Sequence, residues 1–166
     1  TYYDGYTRLT TAPTGVGKYR VEVSLKSSYI DKYQIDGDYE FDYEIVKAQI
    51  SVDWNDSIKP PTLKLTYGQI NGVEYEIVDK DENVVSYSDL KAGETYKIRA
   101  KIKDGQLNHF VFVGDKTETD WKEFSVSAND QLYDPNSPSN PSYPQTDPDL
   151  PTQEPGNPDD NNPGSG

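Results

Sequence analysis

The chain has no cysteine and no methionine, and histidine occurs once, at position 109. Without cysteine there is no disulfide and no thiolate metal centre. With one histidine, a hydrolytic triad or a zinc site would have to lean on His109. No Ser, Asp or Glu motif frames that residue, and zinc is seldom held by one imidazole with carboxylates alone. No apolar run is long enough to cross a membrane as a helix, and no stretch is built like a signal peptide. Positive charge is also scarce: 16 Lys and Arg stand against 29 Asp and Glu, a net charge of −13. A chain so acidic is repelled by nucleic acid and by anionic membrane surfaces. No segment holds helical periodicity over three turns.

What is present is alternation. In Gly93–Lys103, Tyr96, Ile98, Ala100 and Ile102 point one way and Lys97, Arg99, Lys101 and Lys103 the other. A period of two places one face in a core and the other in water. Gly17–Lys26 repeats the pattern with Tyr19, Val21, Val23 and Leu25. A short strand is expected at Tyr33 and Ile35, a turn at Asp36-Gly37-Asp38, and a strand at Phe41, Tyr43 and Ile45. Further on, Ile50, Val52 and Trp54 alternate, Pro60-Pro61 breaks the chain, and Asn71-Gly72 reads as a two-residue hairpin turn. Short strands divided by turn signals predict an antiparallel sandwich or small barrel.

Aligning Tyr19 with Tyr96 brings Tyr33 and Ile35 onto Phe110 and Phe112. After four extra residues in the later copy, Tyr43 and Ile45 fall on Phe124 and Val126. The repeat is roughly 80 residues, long enough to be self-contained. These patterns divide the chain into residues 1–47, a partial or small β-domain; residues 48–129, a complete repeat; and residues 130–166, an acidic linker. The boundary at Lys47-Ala48 has no flexible linker, which restricts the angle between the parts. Nine of the 12 prolines lie in 134–166, with six acidic residues and no Lys or Arg. That composition predicts disorder with polyproline II character. The opening Thr1-Tyr2-Tyr3-Asp4-Gly5 reads as mid-protein sequence, so the chain is expected to be a segment of a longer one.

The repeated Gly-x-Tyr-x-Val strand, the closing Phe-x-Tyr-x-Ile strand and the Val46–Val52 junction together resemble the tandem Ig-like repeats, of the MBG type, of Gram-positive bacterial surface proteins. The resemblance covers residues 10–128, and the tail is similar to the Pro/Asp-rich wall-spanning segments that often follow such repeats. It implies Ig-like antiparallel β-sandwich units in tandem, an extracellular position at the bacterial cell surface or wall, and a stalk or spacer role. Two alternatives stand beside the stalk: an adhesive or carbohydrate-binding module, and an accessory domain of a secreted enzyme. The family carries no set of binding residues to transfer. No enzymatic activity, cofactor or metal is expected.

Lys97, Arg99, Lys101 and Lys103 are the candidate ligand-binding residues. On an acidic protein they are either a docking face for a glycan, a wall polymer or a host matrix protein, or a solvated strand face paired across to acids. Trp54 and Trp121 are read either as a sugar-stacking platform or as core packing. Asp79, Asp81 and Asn83 have the alternate spacing of a calcium loop, but Val84 stands where glycine is required and no glutamate closes the loop, so a polar turn is expected. Strand lysines out of phase with the apolar positions argue against a Lys–Asn isopeptide bond, with Lys47 and Lys64 the residues left open. Leu150-Pro151-Thr152-Gln153 resembles a sorting signal but lacks its Thr-Gly and apolar tail, and is read as linker.

Overall fold

The protein is described here by a computed structural model over residues 1–148. It is all-β, with short 3-10 turns and no α-helix among the described residues. Four strands form an N-terminal antiparallel sheet: β1 (Tyr2–Asp4), β2 (Thr7–Leu9), β3 (Gly17–Glu22) and β4 (Glu40–Ile45), in the order β2-β1-β3-β4. Seven more follow: β5 (Ala48–Ile50), β6 (Trp54–Asn55), β7 (Thr62–Leu63), β8 (Val73–Val78), β9 (Thr95–Ile102), β10 (Phe110–Phe112) and β11 (Lys122–Ser125). They pair as an antiparallel β11-β9-β8 sheet, a parallel β10-β5 pair and a β6-β7 hairpin.

The alternation in β9 is met residue by residue. Tyr96, Ile98, Ala100 and Ile102 are buried, while Lys97 is exposed and Arg99 and Lys101 are half-buried. These inward side chains join Ile77 and Phe124 from the neighbouring strands, and Ile50, Leu63 and Phe112 from the parallel pair and the hairpin, in one core. Ile98 and Phe112 are 0% exposed. Burying a side chain of that size contributes about 1.5–3 kcal/mol each. Pro60 and Pro61 are fully buried at the entrance to β7, with the Lys59–Pro60 peptide cis.

The N-terminal sheet has no such core. No residue before Ile50 is buried. β3 ends at Glu22, so Val23 and Leu25, expected to point inward, lie beyond the strand; Val23 is 51% exposed. Tyr33 and Ile35, expected as a strand, are not one: the segment around Tyr29–Tyr33 is a run of turns, and Tyr33 is 62% exposed. Their register partners Phe110 and Phe112 do form a strand, β10, because β5 lies beside it.

Even so, the pairings in the two regions match. Tyr19 opposes Tyr43 with rings 5.8 Å apart at 35°, and Tyr96 opposes Phe124 with rings 5.9 Å apart at 31°. Only Val46 and Lys47 separate β4 from β5.

Two further expectations are corrected. Asn71-Gly72 is not a two-residue hairpin turn. It ends a 3-10 stretch, Tyr67–Gly72, fixed by a reciprocal cap between Thr66 and Gln69, and neither residue has positive φ. Gly72 is required for space instead: a Cβ there would stand 2.6 Å from the Phe110 ring.

The linker expected from residue 130 is also not free over its described part. Asp134-Pro135-Asn136, Ser137-Pro138-Ser139 and Asn140-Pro141-Ser142 form three successive turns. In each the first side chain accepts the backbone N–H two residues on, at 2.9, 3.2 and 3.0 Å. Proline at the second position presets φ for such a turn. The staircase carries Tyr143 into the core, 5% exposed, where its hydroxyl donates to the Pro135 carbonyl at 2.9 Å. Asn136 receives the Tyr75 N–H at 2.7 Å and donates to the Tyr75 carbonyl at 3.1 Å, much as a neighbouring strand would. The remaining tail, with the Leu150–Gln153 motif, lies outside the described residues.

Candidate functional site

The pleat of β9 sets its cations on the face away from the core, and the flanking strands set acids beside them. Glu76 stands opposite Arg99 and Glu74 opposite Lys101 on β8, while Glu123 stands opposite Lys97 on β11. Arg99 is fully engaged. Its Nε and Nη2 donate to Glu76 Oε1 at 3.1 and 2.9 Å, and its Nη1 lies 3.1 Å from Glu118. The guanidinium also lies over the Trp121 ring, 4.5 Å from the centroid. Two donors converging on one carboxylate oxygen, with a third group held by Glu118, fix the geometry of the side chain as well as its charge.

Lys97, Lys101 and Lys103 hold no ion pair among the described residues. The backbone N–H of Lys103 donates to the Gly72 carbonyl at 3.0 Å. Lys97, Arg99 and Lys101 therefore share one strand face, a mixed-charge one, whereas Lys103, expected with them, lies beyond the end of β9 at the entry to the 3-10 turn Asp104–Gln106. An anionic ligand would meet Glu74, Glu76, Glu118 and Glu123 around the cations and would have to compete with Glu76 for Arg99.

Trp121 connects this face to a second feature. A shallow groove of about 530 Å³ runs between the end of β5, Trp54 and the 113–122 segment, lined by Val52, Trp54, Val113, Asp120 and Trp121 among others. Trp54 sits with its ring edge-on to Tyr75 at 6.3 Å, so it is shared between core and groove, and Trp121 is 40% exposed. Two ion pairs border the groove, Lys116–Asp120 at 3.6 Å and Lys122–Asp56 at 3.1 Å. Sequence spacing gives no reason for the two tryptophans, 67 positions apart, to share a groove; it follows from the arrangement of β5, β10 and β11.

The other candidates are local structure. Asp79 Oδ1 accepts the backbone N–H groups of Asp81 and Asn83, both at 2.9 Å, and Glu82 takes φ 65° in the same turn. Chiefly the hydrogen bond from the Asn83 backbone holds the Asp79 carboxyl below its ordinary range. His109 is exposed just before β10. Its carbonyl accepts from Ala48 at 2.8 Å and its N–H donates to Gln106 at 2.9 Å, so the backbone does the work of starting the strand. Lys64 pairs with Asp53 at 3.3 Å with both side chains more than half exposed, and Lys47 is exposed. Among the described residues no three His, Cys, Asp or Glu side chains converge on a metal-sized site, and no helix is long and apolar enough to cross a membrane.

Comparison with protein-family models, curated proteins and solved structures finds no match.

Proposed function

We propose that the chain is a structural stretch of a bacterial surface protein, built from tandem Ig-like sandwich units, that holds another domain away from the cell. The observation that carries this reading is the matched pairing of Tyr19 with Tyr43 and of Tyr96 with Phe124, repeated across a two-residue junction. A repeat joined so closely transmits position with little slack, which is what a spacer needs. The engagement of Arg99 by Glu76 and Glu118 suits the same role, since it leaves the central cation of that strand occupied by its own neighbours.

The test is a replacement. In the surface-displayed parent protein, residues 1–148 are exchanged for an unrelated rigid module of equal length, and adhesion or activity of the presented domain is measured. Retained function supports the spacer. Loss at unchanged reach and display level transfers the role to a surface of this segment.

A second reading, a carbohydrate-binding module, is favoured by one observation: Trp54 and Trp121 line one groove with carboxylates at its border. Indole faces stack on sugar rings while carboxylates take up hydroxyls. Titration with soluble oligosaccharides, followed by tryptophan fluorescence, should give a saturable change that Trp121→Ala removes if this reading holds. A flat titration would sink it.

A further inference from the structure

Cysteine and methionine are the side chains that ordinarily take up oxidising equivalents, and this chain has neither. One-electron oxidation therefore falls on its 14 tyrosines and two tryptophans. Their surroundings differ. Trp121 lies under the Arg99 guanidinium at 4.5 Å and Tyr3 under that of Arg20 at 4.7 Å. A fixed cation over a ring opposes the positive charge that loss of an electron leaves there. Tyr75, Tyr96 and Tyr143 are buried in the core. Tyr19 and Tyr43 stand with rings 5.8 Å apart, but both are half-buried, and the Tyr19 hydroxyl already donates to the Gly15 carbonyl at 3.0 Å.

Tyr29 and Tyr33 are both paired and open. The Tyr29 N–H donates to the Lys26 carbonyl at 2.8 Å, and the Tyr29 carbonyl accepts from Lys32 and Tyr33, both at 3.0 Å. A bond between residues four apart is one turn of α-helical bonding and sets the two side chains on the same side. The rings accordingly lie 5.9 Å apart at 50°. They are 47% and 62% exposed, in a stretch where no buried residue covers them. Tyr6, Tyr39 and Tyr67 are exposed too, but face no other tyrosine ring among the described residues.

We propose that Tyr29 and Tyr33 are an oxidative cross-linking site, with a haem peroxidase and hydrogen peroxide as co-reactants. Each phenol gives one electron to the peroxidase and one proton to solvent, leaving a phenoxyl radical. The two radicals join through ring carbons beside the hydroxyls, forming one carbon–carbon bond. The hydrogens on those carbons leave as protons while the phenol oxygens regain theirs, and both rings become aromatic again. Hydrogen peroxide takes up the two electrons and two protons and becomes two waters. The product closes a ring over residues 29–33 and ties the connection between β3 and β4 covalently, in a chain with no disulfide to do so. The inference does not depend on the spacer reading and holds equally for a binding module.

The test is oxidation of the whole chain, in dilute solution, with a plant haem peroxidase and stoichiometric hydrogen peroxide. The monomer should lose two hydrogen atoms in intact mass and gain the blue fluorescence of a biphenol. Trypsin cuts after Lys26, Lys32 and Lys47, and should then release residues 27–32 and 33–47 as one linked species. Residues 33–47 also hold Tyr39 and Tyr43, so Tyr33→Phe identifies the partner. That substitution should abolish the linked species, as should Tyr29→Phe, whereas Tyr6→Phe and Tyr43→Phe should leave its yield unchanged. Phenylalanine keeps the ring and removes only the hydroxyl, so the turn is undisturbed. An unchanged monomer mass overturns the proposal, and so does a linked species that persists in Tyr33→Phe. Covalent dimers in place of the linked monomer overturn it in favour of coupling between chains. Tyr19-Arg20 attached to residues 33–47, without the 27–32 link, overturns it in favour of the half-buried pair.

Discussion

Tyr96, Ile98 and Phe124 are buried in the sheet of β8, β9 and β11, whereas Tyr19, Val21 and Tyr43, at the matching positions of the N-terminal sheet, are only half-buried. Strand pairing, register and even ring geometry are alike in the two. What differs is the second layer. Around β9 it is supplied by β5, the β6-β7 hairpin and β10; over the N-terminal sheet the described residues supply none. Alternating side chains choose a strand and its faces, but the energy of burial arrives only when something stands on the apolar face.

The largest test of this contrast is a matched pair of truncations. Phe112→Ala should cost about 3–5 kcal/mol, because a fully buried ring leaves a cavity. Ile35→Ala, at the matching position but 38% exposed, should stay within about 0.5 kcal/mol. Denaturant unfolding of both variants measures the difference, and equal losses would erase the distinction.

Next comes the segment that closes the C-terminal core. Asn136→Ala removes both bonds to Tyr75 and leaves its backbone groups without partners, at a cost of about 1–3 kcal/mol. A thermal melt unchanged by the substitution would show that the staircase merely rests on the core.

An alkaline titration separates the two regions in another way. Burial pushes the Tyr143 phenol up to about 12 and raises Tyr75 further. An unfolded tyrosine ionises near about 10, so ionisation favours the unfolded chain above that pH. The stability held below about 10 should therefore be lost as pH climbs from there through 12. Circular dichroism against pH should show the C-terminal core giving way in that window, with a shallower slope in Tyr143→Phe.

The smallest effects are expected on the charged face. Lys97→Ala should change stability by less than about 0.5 kcal/mol, as exposed strand charges do. Arg99→Ala should cost about 1 kcal/mol, since its half-buried guanidinium gives two hydrogen bonds to Glu76 and stacks on Trp121. Both are read from the same denaturant curves.

Much of this was legible in the sequence. The period-two runs located β3, β4 and β9, and the Tyr19-to-Tyr96 alignment identified pairs that occupy equivalent registers. The misses have physical causes. Tyr33 and Ile35 have strand-forming side chains, but a parallel strand needs a distant partner that local sequence does not disclose. Asn71-Gly72 carries a turn dipeptide, yet glycine was needed there for the Phe110 ring rather than for positive φ. Composition made residues 134–143 look like linker. The signal present was the threefold Asx/Ser-Pro-x spacing, a chain of preset turns, followed by a lone aromatic to bury. The acids around Arg99 were legible as a general expectation of cross-strand pairing, whereas Trp54 and Trp121 meet only through tertiary structure.

The hold of Asn136 on Tyr75 has a consequence beyond stability. β8 is the last strand of its sheet, and a strand in that position exposes a row of unpaired amides and carbonyls that invites a foreign chain to add itself. Here Val84 and Val85 occupy one end of the row, at Val78 and Ile77, and the carboxamide of Asn136 occupies it at Tyr75. A single side chain thus stands in for a missing strand and shuts a door to self-association.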